Sequence, residues 1–192
     1  MREKARAACA AVFLLAAGWI LFFPCRKEND ASAYEKINDP NVFIKQEEPS
    51  SCTLCAAAMM LRRAAILSED FRWRQIGERS LKREAWIEGQ GLRHSFSFQS
   101  GRKTYRVGHE TLPGGEENAE LLRSILKKHP EGIVLYYGPG ENQHAVLLTD
   151  ETDGVFYCAD PYEGKPKGRI PLTEAAYVTE KNAGAFWYIV WQ

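Results

Sequence analysis

Residues 50–67 read SSCTLCAAAMMLRRAAIL, and this stretch decides the fold of the chain. Alanine, methionine and leucine dominate the run from Cys52 to Leu67, in which Arg62 and Arg63 are the only charged residues. These residues favour a helix, and the two serines before Cys52 are typical N-cap residues. The sequence therefore predicts a serine-capped helix over 52–67. Because this helix is apolar on nearly every face, we expect it in the middle of the fold.

Two further helices are predicted by apolar periodicity and by the placement of charges. Residues 69–87 have an amphipathic pattern whose apolar positions are Phe71, Trp73 and Ile76. Residues 116–128 begin with glutamates and end with lysines, which matches the dipole of a helix. The buried stripe of this last helix is predicted to consist of Leu121, Leu122 and Ile125.

Strand patterns account for most of the remaining domain. Phenylalanines alternate with serines before the turn Ser100-Gly101, and the alternation continues after it, which predicts a β-hairpin. Strands are also predicted over 132–137, 144–149, 155–159 and 185–191, with a short helix over 173–178. Helices come first and an antiparallel sheet follows, so the predicted fold class is α+β and not a doubly wound α/β fold.

The first 28 residues are a different kind of sequence. Basic residues precede an uncharged stretch over 7–23, and a charged run follows, as in an export signal or an N-terminal membrane anchor. These seventeen residues would span about 25 Å as a helix, short of a hydrocarbon core of about 30 Å, so cleavage and retention both stay open. We expect an extracytoplasmic protein, secreted or anchored to the outer face of the cytoplasmic membrane by 7–23. A linker over 29–41 and one domain over 42–192 would follow.

Composition narrows the classes of partner. Lys plus Arg and Asp plus Glu each number 25, so the formal net charge is zero and no basic field would attract nucleic acid. We expect no nucleic-acid partner, no cofactor and no metal, and contact with a membrane only through the N-terminal segment. Cys9 and Cys25 belong to that segment, which leaves three cysteines in the domain, Cys52, Cys55 and Cys158. So few cysteines do not indicate a disulfide-stapled fold.

Cys52 stands where a nucleophilic cysteine is expected. A thiol in the first turn of a helix feels the positive end of the dipole and free backbone N–H groups, which stabilise a thiolate. Gln46 precedes Cys52 by six residues, on the part of the chain that leads into the helix. We expect its side-chain amide to help bind the oxyanion of an acyl intermediate.

His144 and Asp160 are predicted to meet at the open end of a hairpin. His144 begins one predicted strand, Asp160 ends the next, and residues 151–154 are predicted to make the turn between them. In an antiparallel pair with this loop, position 144 lies opposite about position 161. We therefore expect Asp160 to orient the ring of His144 and to stabilise its imidazolium while the ring faces a thiol.

These residues, in this order, resemble the papain-like cysteine peptidases. The resemblance covers about 42–191 and is greatest to the bacteriocin leader-processing, double-glycine peptidase-like branch and its exported, stand-alone bacterial relatives. It implies a helix carrying the cysteine, packed on an antiparallel sheet that carries the histidine and the aspartate. It also implies Cys52 as nucleophile, His144 as general base and then acid, Asp160 as the orienting residue, and Gln46 as an oxyanion donor. Thr53 and Cys55 depart from the branch, which has glycine and a small residue there, so the resemblance implies the chemistry but not the substrate.

Alternatives to this interpretation stay open. The expected substrate is a peptide or protein, for example a cell-surface peptide, and amide hydrolysis in a cell-wall peptide ranks second.

Cys52 and Cys55 form a CxxC at a helix start, as in thiol-disulfide oxidoreductases, although residues 42–51 are too polar for the buried strand of such a fold. A zinc site on this CxxC would need a second pair of ligands at a recognisable spacing, which the sequence does not show. A catalytically silent peptide-binding module of the same fold is the non-enzymatic alternative.

Overall fold

A computed structural model of the chain describes residues 33–138 and 143–191. The predicted signal or anchor, including the apolar stretch 7–23 and Cys9 and Cys25, lies outside these residues. Among the helices of the described part, none is both long and apolar enough to cross a membrane. The compact unit that carries the residues discussed below spans Glu35–Gln192.

Helix α1, Cys52–Leu67, has the bounds that the sequence predicts. Most of its side chains are buried, which confirms a helix surrounded by other elements. Its one fully buried charge, on Arg63, is compensated because the guanidinium donates to the Ile37 and Pro130 carbonyls and to the Asn38 side chain, at 2.9 to 3.2 Å. A buried cation is tolerated only when it is paired or hydrogen-bonded in this way.

The strands form a seven-stranded antiparallel sheet and a separate two-stranded hairpin. The hairpin strands are β1 (Trp86–Ile87) and β2 (Gly91–Leu92). The sheet has the strand order β3-β4-β9-β5-β6-β7-β8. Its strands are β3 (Phe96–Ser100), β4 (Lys103–Leu112), β5 (Ile133–Tyr137), β6 (His144–Thr152), β7 (Val155–Ala159), β8 (Arg169–Pro171) and β9 (Gly184–Ile189). The α+β class is therefore confirmed.

Two apolar layers cover the central strands of the sheet. On one face α1 packs against side chains that include Val134, Leu147 and Trp187. On the other face the side chains of Ile133 and Leu148 belong to a second apolar cluster with helix α3, Asn118–Leu126. Burial on both faces explains why β5 and β6 are continuous apolar runs and not alternating ones.

The region after α1 differs from its prediction. Instead of one amphipathic helix over 69–87, the chain forms a 3₁₀ turn at Trp73–Gln75, helix α2 at Glu78–Ala85, and then β1. Ile76 is buried as predicted, whereas Phe71 is 92% exposed. Leu121 of α3, also predicted to be buried, is 40% exposed. Phe71 lies outside the shorter observed helix, whereas Leu121 lies within α3 on its solvent side.

The hairpin of β6 and β7 sets the position of the residues discussed below. Its turn consists of Asp153 and Gly154, both with positive φ, and not of the predicted four residues. Two positive φ angles give the turn that matches the twist of paired strands. A register shift between Leu148 and Asp150 then adds one residue to β6. The two differences nearly cancel, so His144 still comes close to the end of β7.

Candidate active site

Cys52 is the first residue of α1, and its side chain is 8% exposed. Ser51 occupies the N-cap position but makes no side-chain cap, which corrects the prediction of a serine cap. Its hydroxyl instead donates to the Glu48 carbonyl at 2.9 Å and accepts from the Glu48 N–H at 3.2 Å. The first helical hydrogen bond runs from the Cys55 N–H to the Ser51 carbonyl. The N–H groups of residues 52–54 therefore precede the hydrogen-bonded turns and can face a ligand.

His144 and Asp160 are joined by a hydrogen bond of 2.8 Å between Nε2 and Oδ1. Continuing the register of Leu147 opposite Ala159 puts His144 opposite Tyr162, one residue beyond the predicted partner position. The Tyr162 ring meets the imidazole edge to face at 6.4 Å. Both His144 and Asp160 are buried, at 5% and 3% exposure. The predicted meeting of these two side chains is thus seen in the structure.

The Asp160 carboxylate is held by three donors. Besides the His144 ring, Oδ1 accepts from the Tyr162 N–H at 2.8 Å, and Oδ2 accepts from the Ala176 N–H at 3.0 Å. Burial alone would raise the pKa of Asp160, but these hydrogen bonds hold it below the ordinary value. Asp160 is consequently an anion with a fixed orientation.

The His144 ring lies between this anion and the thiol of Cys52. Burial alone would lower the pKa of His144, but the hydrogen bond and charge of Asp160, together with those of Cys52, raise it to about 9. Asp160 uses Nε2, so Nδ1 is the ring nitrogen left for another partner. With a pKa of about 9, the ring is protonated at neutral pH, and the Asp160 carboxylate is bound at Nε2.

The loop before α1 is tied to the turn that follows Asp160. The Lys45 ammonium donates to the carbonyl oxygens of Asp160, Tyr162 and Pro166, at 2.8 to 3.2 Å. The Gln46 N–H donates to the Pro161 carbonyl at 3.0 Å. These contacts connect the segment that leads to Cys52 with the segment that carries Asp160. They fix the helix start against the histidine–aspartate pair.

The side chain of Gln46 is engaged away from the sulfur. Its Nε2 donates to the carbonyl oxygens of Glu48 and Pro49, both at 3.0 Å, and two carbonyl acceptors fix which end of the amide is nitrogen. Its Oε1 is buried without a partner among the described residues. Gln46 as an oxyanion donor therefore stays a prediction, and it would require at least one of these two hydrogen bonds to break.

A cleft of about 810 Å³ opens at the start of α1. Cys52 and Thr53 line it together with Trp86 and Leu92 of the β1–β2 hairpin. Side chains of the large sheet complete the lining, among them Tyr136, Gln143 and Trp187. A cleft of this volume takes several residues of a peptide or a ligand of similar size, and Cys52 is the one cysteine among the described residues that line it.

Two pairs of cleft residues were not predicted from the sequence. The Tyr136 hydroxyl donates to Gln143 Oε1 at 3.0 Å. His94 and His109 stack with their ring centroids 4.4 Å apart, and burial followed by the charge of His94 lowers the pKa of His109. His109 is half-buried and lies next to Trp187, whereas His94 is exposed. The one sequence signal for these cleft residues is the position of Gln143 directly before His144.

The other two cysteines of the domain are fully buried, free thiols. Cys55 Sγ donates to the Ile44 carbonyl at 3.5 Å, and burial followed by the nearby Glu78 raises the pKa of this thiol far above its ordinary value. Burial likewise raises the pKa of Cys158. Neither thiol is among the described residues that line the cleft.

The described residues include no group of three or more His, Cys, Asp or Glu side chains placed to hold a metal ion. Comparison with known proteins finds no matching family model, no matching curated protein and no matching solved structure. Any inference about function therefore rests on the geometry of Cys52, His144, Asp160 and the cleft.

Proposed function

We propose that the chain is a papain-like cysteine peptidase that cleaves a peptide bond through an acyl-enzyme on Cys52. The observation that carries the proposal is the hydrogen bond between Asp160 and the His144 ring, together with Cys52, which raises the pKa of the same ring and lines the cleft. A nucleophile, a base and a residue that orients the base are the three parts that thiol acyl transfer requires. The arrangement of α1, which carries the thiol, on the sheet that carries the other two groups supports the papain-like assignment.

In the first half of the reaction, the Cys52 thiolate attacks the substrate carbonyl and a carbon–sulfur bond forms. The carbonyl electrons move to oxygen, and the N–H groups at the start of α1 are placed to stabilise this oxyanion. The carbon–nitrogen bond then breaks, and the His144 imidazolium gives its proton to the departing amine. The products of this half are a thioester on Cys52 and a free amino terminus.

In the second half, neutral His144 takes a proton from water, which attacks the thioester. The carbon–sulfur bond breaks, a carboxylic acid leaves, and the thiolate and imidazolium return. Asp160 keeps the ring in one orientation throughout and stabilises its charged form, but accepts no proton. The low pKa of Asp160, caused by its three hydrogen bonds, suits this role.

Thiol-disulfide exchange by Cys52 and Cys55 is the less favoured candidate. Cys55 is fully buried, bonds to a backbone carbonyl, and has a pKa raised by burial and by Glu78. A resolving thiol must reach a mixed disulfide and ionise, which this environment opposes. Exchange also leaves the pair of His144 and Asp160 without a role.

The proposed substrate is a peptide or protein outside the cytoplasm, met after export directed by the segment over 7–23. The described residues give the cleft two tryptophans and one tyrosine, and these suit the apolar parts of a polypeptide. No feature of the cleft favours a cell-wall peptide over another peptide.

The test is cleavage of a complex peptide mixture. The full chain is incubated with a tryptic digest of bacterial proteins, and new amino termini are identified by mass spectrometry. Cys52→Ser should abolish the new termini, because the hydroxyl is a far weaker nucleophile. Cys55→Ser is the matched control: it makes the same exchange three residues away, keeps a donor for the Ile44 carbonyl, and should retain cleavage.

Two results would contradict the proposal. Peptides that bind without any new termini would indicate the silent binding module. Reduction of insulin disulfides by the wild type, lost in both serine variants, would indicate the oxidoreductase.

A further inference from the structure

Gln143 presents an amide to the cleft that the mechanism above does not use. The residue is exposed, directly precedes His144, and lines the same cleft as Cys52. Its Oε1 accepts the hydrogen bond from the Tyr136 hydroxyl at 3.0 Å. Because the oxygen end of the amide is bound, the NH₂ end is the one left to donate to another molecule.

Tyr136 is held rigidly in the position from which it binds Gln143. Its backbone lies in the middle of the sheet, paired with Ala145 of β6 and Ala185 of β9. Its ring meets Trp187 edge to face, at 6.1 Å between centroids. Gly138 leaves the space that the hydroxyl needs, since a Cβ at that position would lie 2.2 Å from it. The hydroxyl is thus fixed by packing before any substrate binds.

The phenol lines the same cleft as Cys52. Burial raises the pKa of Tyr136, and a negative charge on Cys52 raises it further. The hydroxyl therefore keeps its proton at neutral pH and remains a donor to Gln143. The Gln143 amide is therefore held at the cleft by a protonated phenol before any reaction begins.

The amide of Gln46 is not in this position. Both of its N–H bonds go to carbonyl oxygens of its own loop, and Gln46 is not among the described residues that line the cleft. The N–H groups at the start of α1 supply one side of an oxyanion site, and a second donor must come from elsewhere in the cleft lining. Gln143 meets this requirement.

We propose that Gln143 Nε2 donates a hydrogen bond to the carbonyl oxygen of the acyl group as it becomes an oxyanion, and that Tyr136 positions this amide. The proposal rests on the proposed function, because it presumes acyl transfer to Cys52. It assigns Gln143 as a catalytic residue, which touches the reacting group, and Tyr136 as a positioning residue, which acts through Gln143.

The experiment compares two reactions of the same thiol. Acetylation by p-nitrophenyl acetate passes through an oxyanion, whereas alkylation by iodoacetamide does not, and neither probe needs knowledge of the natural substrate. The measured quantity is the ratio of the two rate constants at Cys52, with the modified residue located by peptide mapping. Gln143→Met removes the amide at similar size, on an exposed position that tolerates substitution.

Gln143→Met should lower the ratio by about 10²-fold, the usual effect of losing an oxyanion donor. Tyr136→Phe should lower it less, and the double variant should lose no more than Gln143→Met alone, because the two side chains act as a unit. Gln99→Met, the same exchange at an exposed residue of β3 that is not among the described residues lining the cleft, should leave the ratio unchanged. A purely structural defect at Cys52 would lower both rate constants together and leave their ratio unchanged.

An unchanged ratio in Gln143→Met would overturn the assignment, and so would a fall in Gln46→Met but not in Gln143→Met. Additive losses in the double variant would overturn the positioning role of Tyr136. Failure of the proposed function has a different signature: wild-type protein would not be acetylated on Cys52 at all.

Discussion

His144 and Asp160, sixteen residues apart in the chain, are joined by a hydrogen bond of 2.8 Å between two buried side chains. The aspartate is itself bound by the Tyr162 and Ala176 N–H groups, so its position does not depend on the histidine. Since both the hydrogen bond and the charge of Asp160 raise the pKa of His144, Asp160 acts as a fixed anion that keeps the His144 ring protonated.

Asp160→Asn should lower the pKa of His144, because the amide keeps an acceptor for the ring but loses the negative charge. The new NH₂ group would also face the Ala176 N–H, which should cost about 1–3 kcal/mol of unfolding free energy. An NMR titration of the His144 ring measures the first effect and urea unfolding the second. The control is Glu163→Gln, which removes an exposed carboxylate three residues away. An unchanged His144 pKa in Asp160→Asn would show that the charge does not act on the ring.

Stability should depend on pH through His144. Its folded pKa of about 9 lies above the ordinary value of 6.5, so its protonation stabilises the fold fully below pH 6.5, and this contribution is lost as the pH rises through about 9. The difference in unfolding free energy between wild type and His144→Gln should therefore be largest below pH 6.5 and shrink towards pH 9. A difference that stays constant over this range would mean that the pKa is not raised.

Lys45→Met should loosen the contact between the start of α1 and the turn after Asp160. The variant keeps the apolar stem but removes the donor shared by three carbonyl oxygens, so we expect a loss of about 1–3 kcal/mol. Lys82→Met, which removes only a half-exposed ion pair to Glu48 at 3.5 Å, should change stability by less than about 0.5 kcal/mol. Chemical unfolding of both variants gives the comparison, and equal losses would argue against a special role for Lys45.

His94→Ala should raise the pKa of His109. The substitution uncovers the half-buried ring and removes a neighbouring positive charge, and burial and that charge are the two causes that lower the pKa. Glu110→Gln should act in the opposite direction, since Glu110 raises it. NMR titration of His109 in both variants measures these shifts, and a lower pKa in His94→Ala would contradict the geometry of the stack.

The sequence predicts the elements with strong local signals. Helix α1 and strand β7 have the predicted bounds, because each is an apolar run that ends at turn residues. The strands β1, β2 and β8 were not predicted, since two or three residues carry no periodicity and β8 includes a proline. The central position of β9 between β4 and β5 has no local signal at all, because it depends on pairing across the whole chain.

In the candidate site, too, contacts within one hairpin could be predicted from the sequence, whereas contacts that depend on side-chain rotation or distant packing could not. The meeting of His144 and Asp160 follows from one hairpin, and the prediction erred by one residue because a register shift offset a shorter turn. The engagement of Gln46 with its own loop could not be predicted, since it depends on a side-chain rotation. The pair of Tyr136 and Gln143 could not be predicted either, because strand pairing and packing against Gly138 and Trp187 bring it to the cleft.

The central claim is that Cys52 is an acyl-transfer nucleophile with His144 as its base. The most direct test mixes the protein with p-nitrophenyl acetate, stops the reaction in acid, and locates the acetyl group by peptide mapping. The account predicts one acetyl group on Cys52 and a rate reduced about 10²- to 10⁴-fold in His144→Gln. Acetylation of Cys52 at the same rate in that variant, or acetyl groups only on lysines, would contradict it.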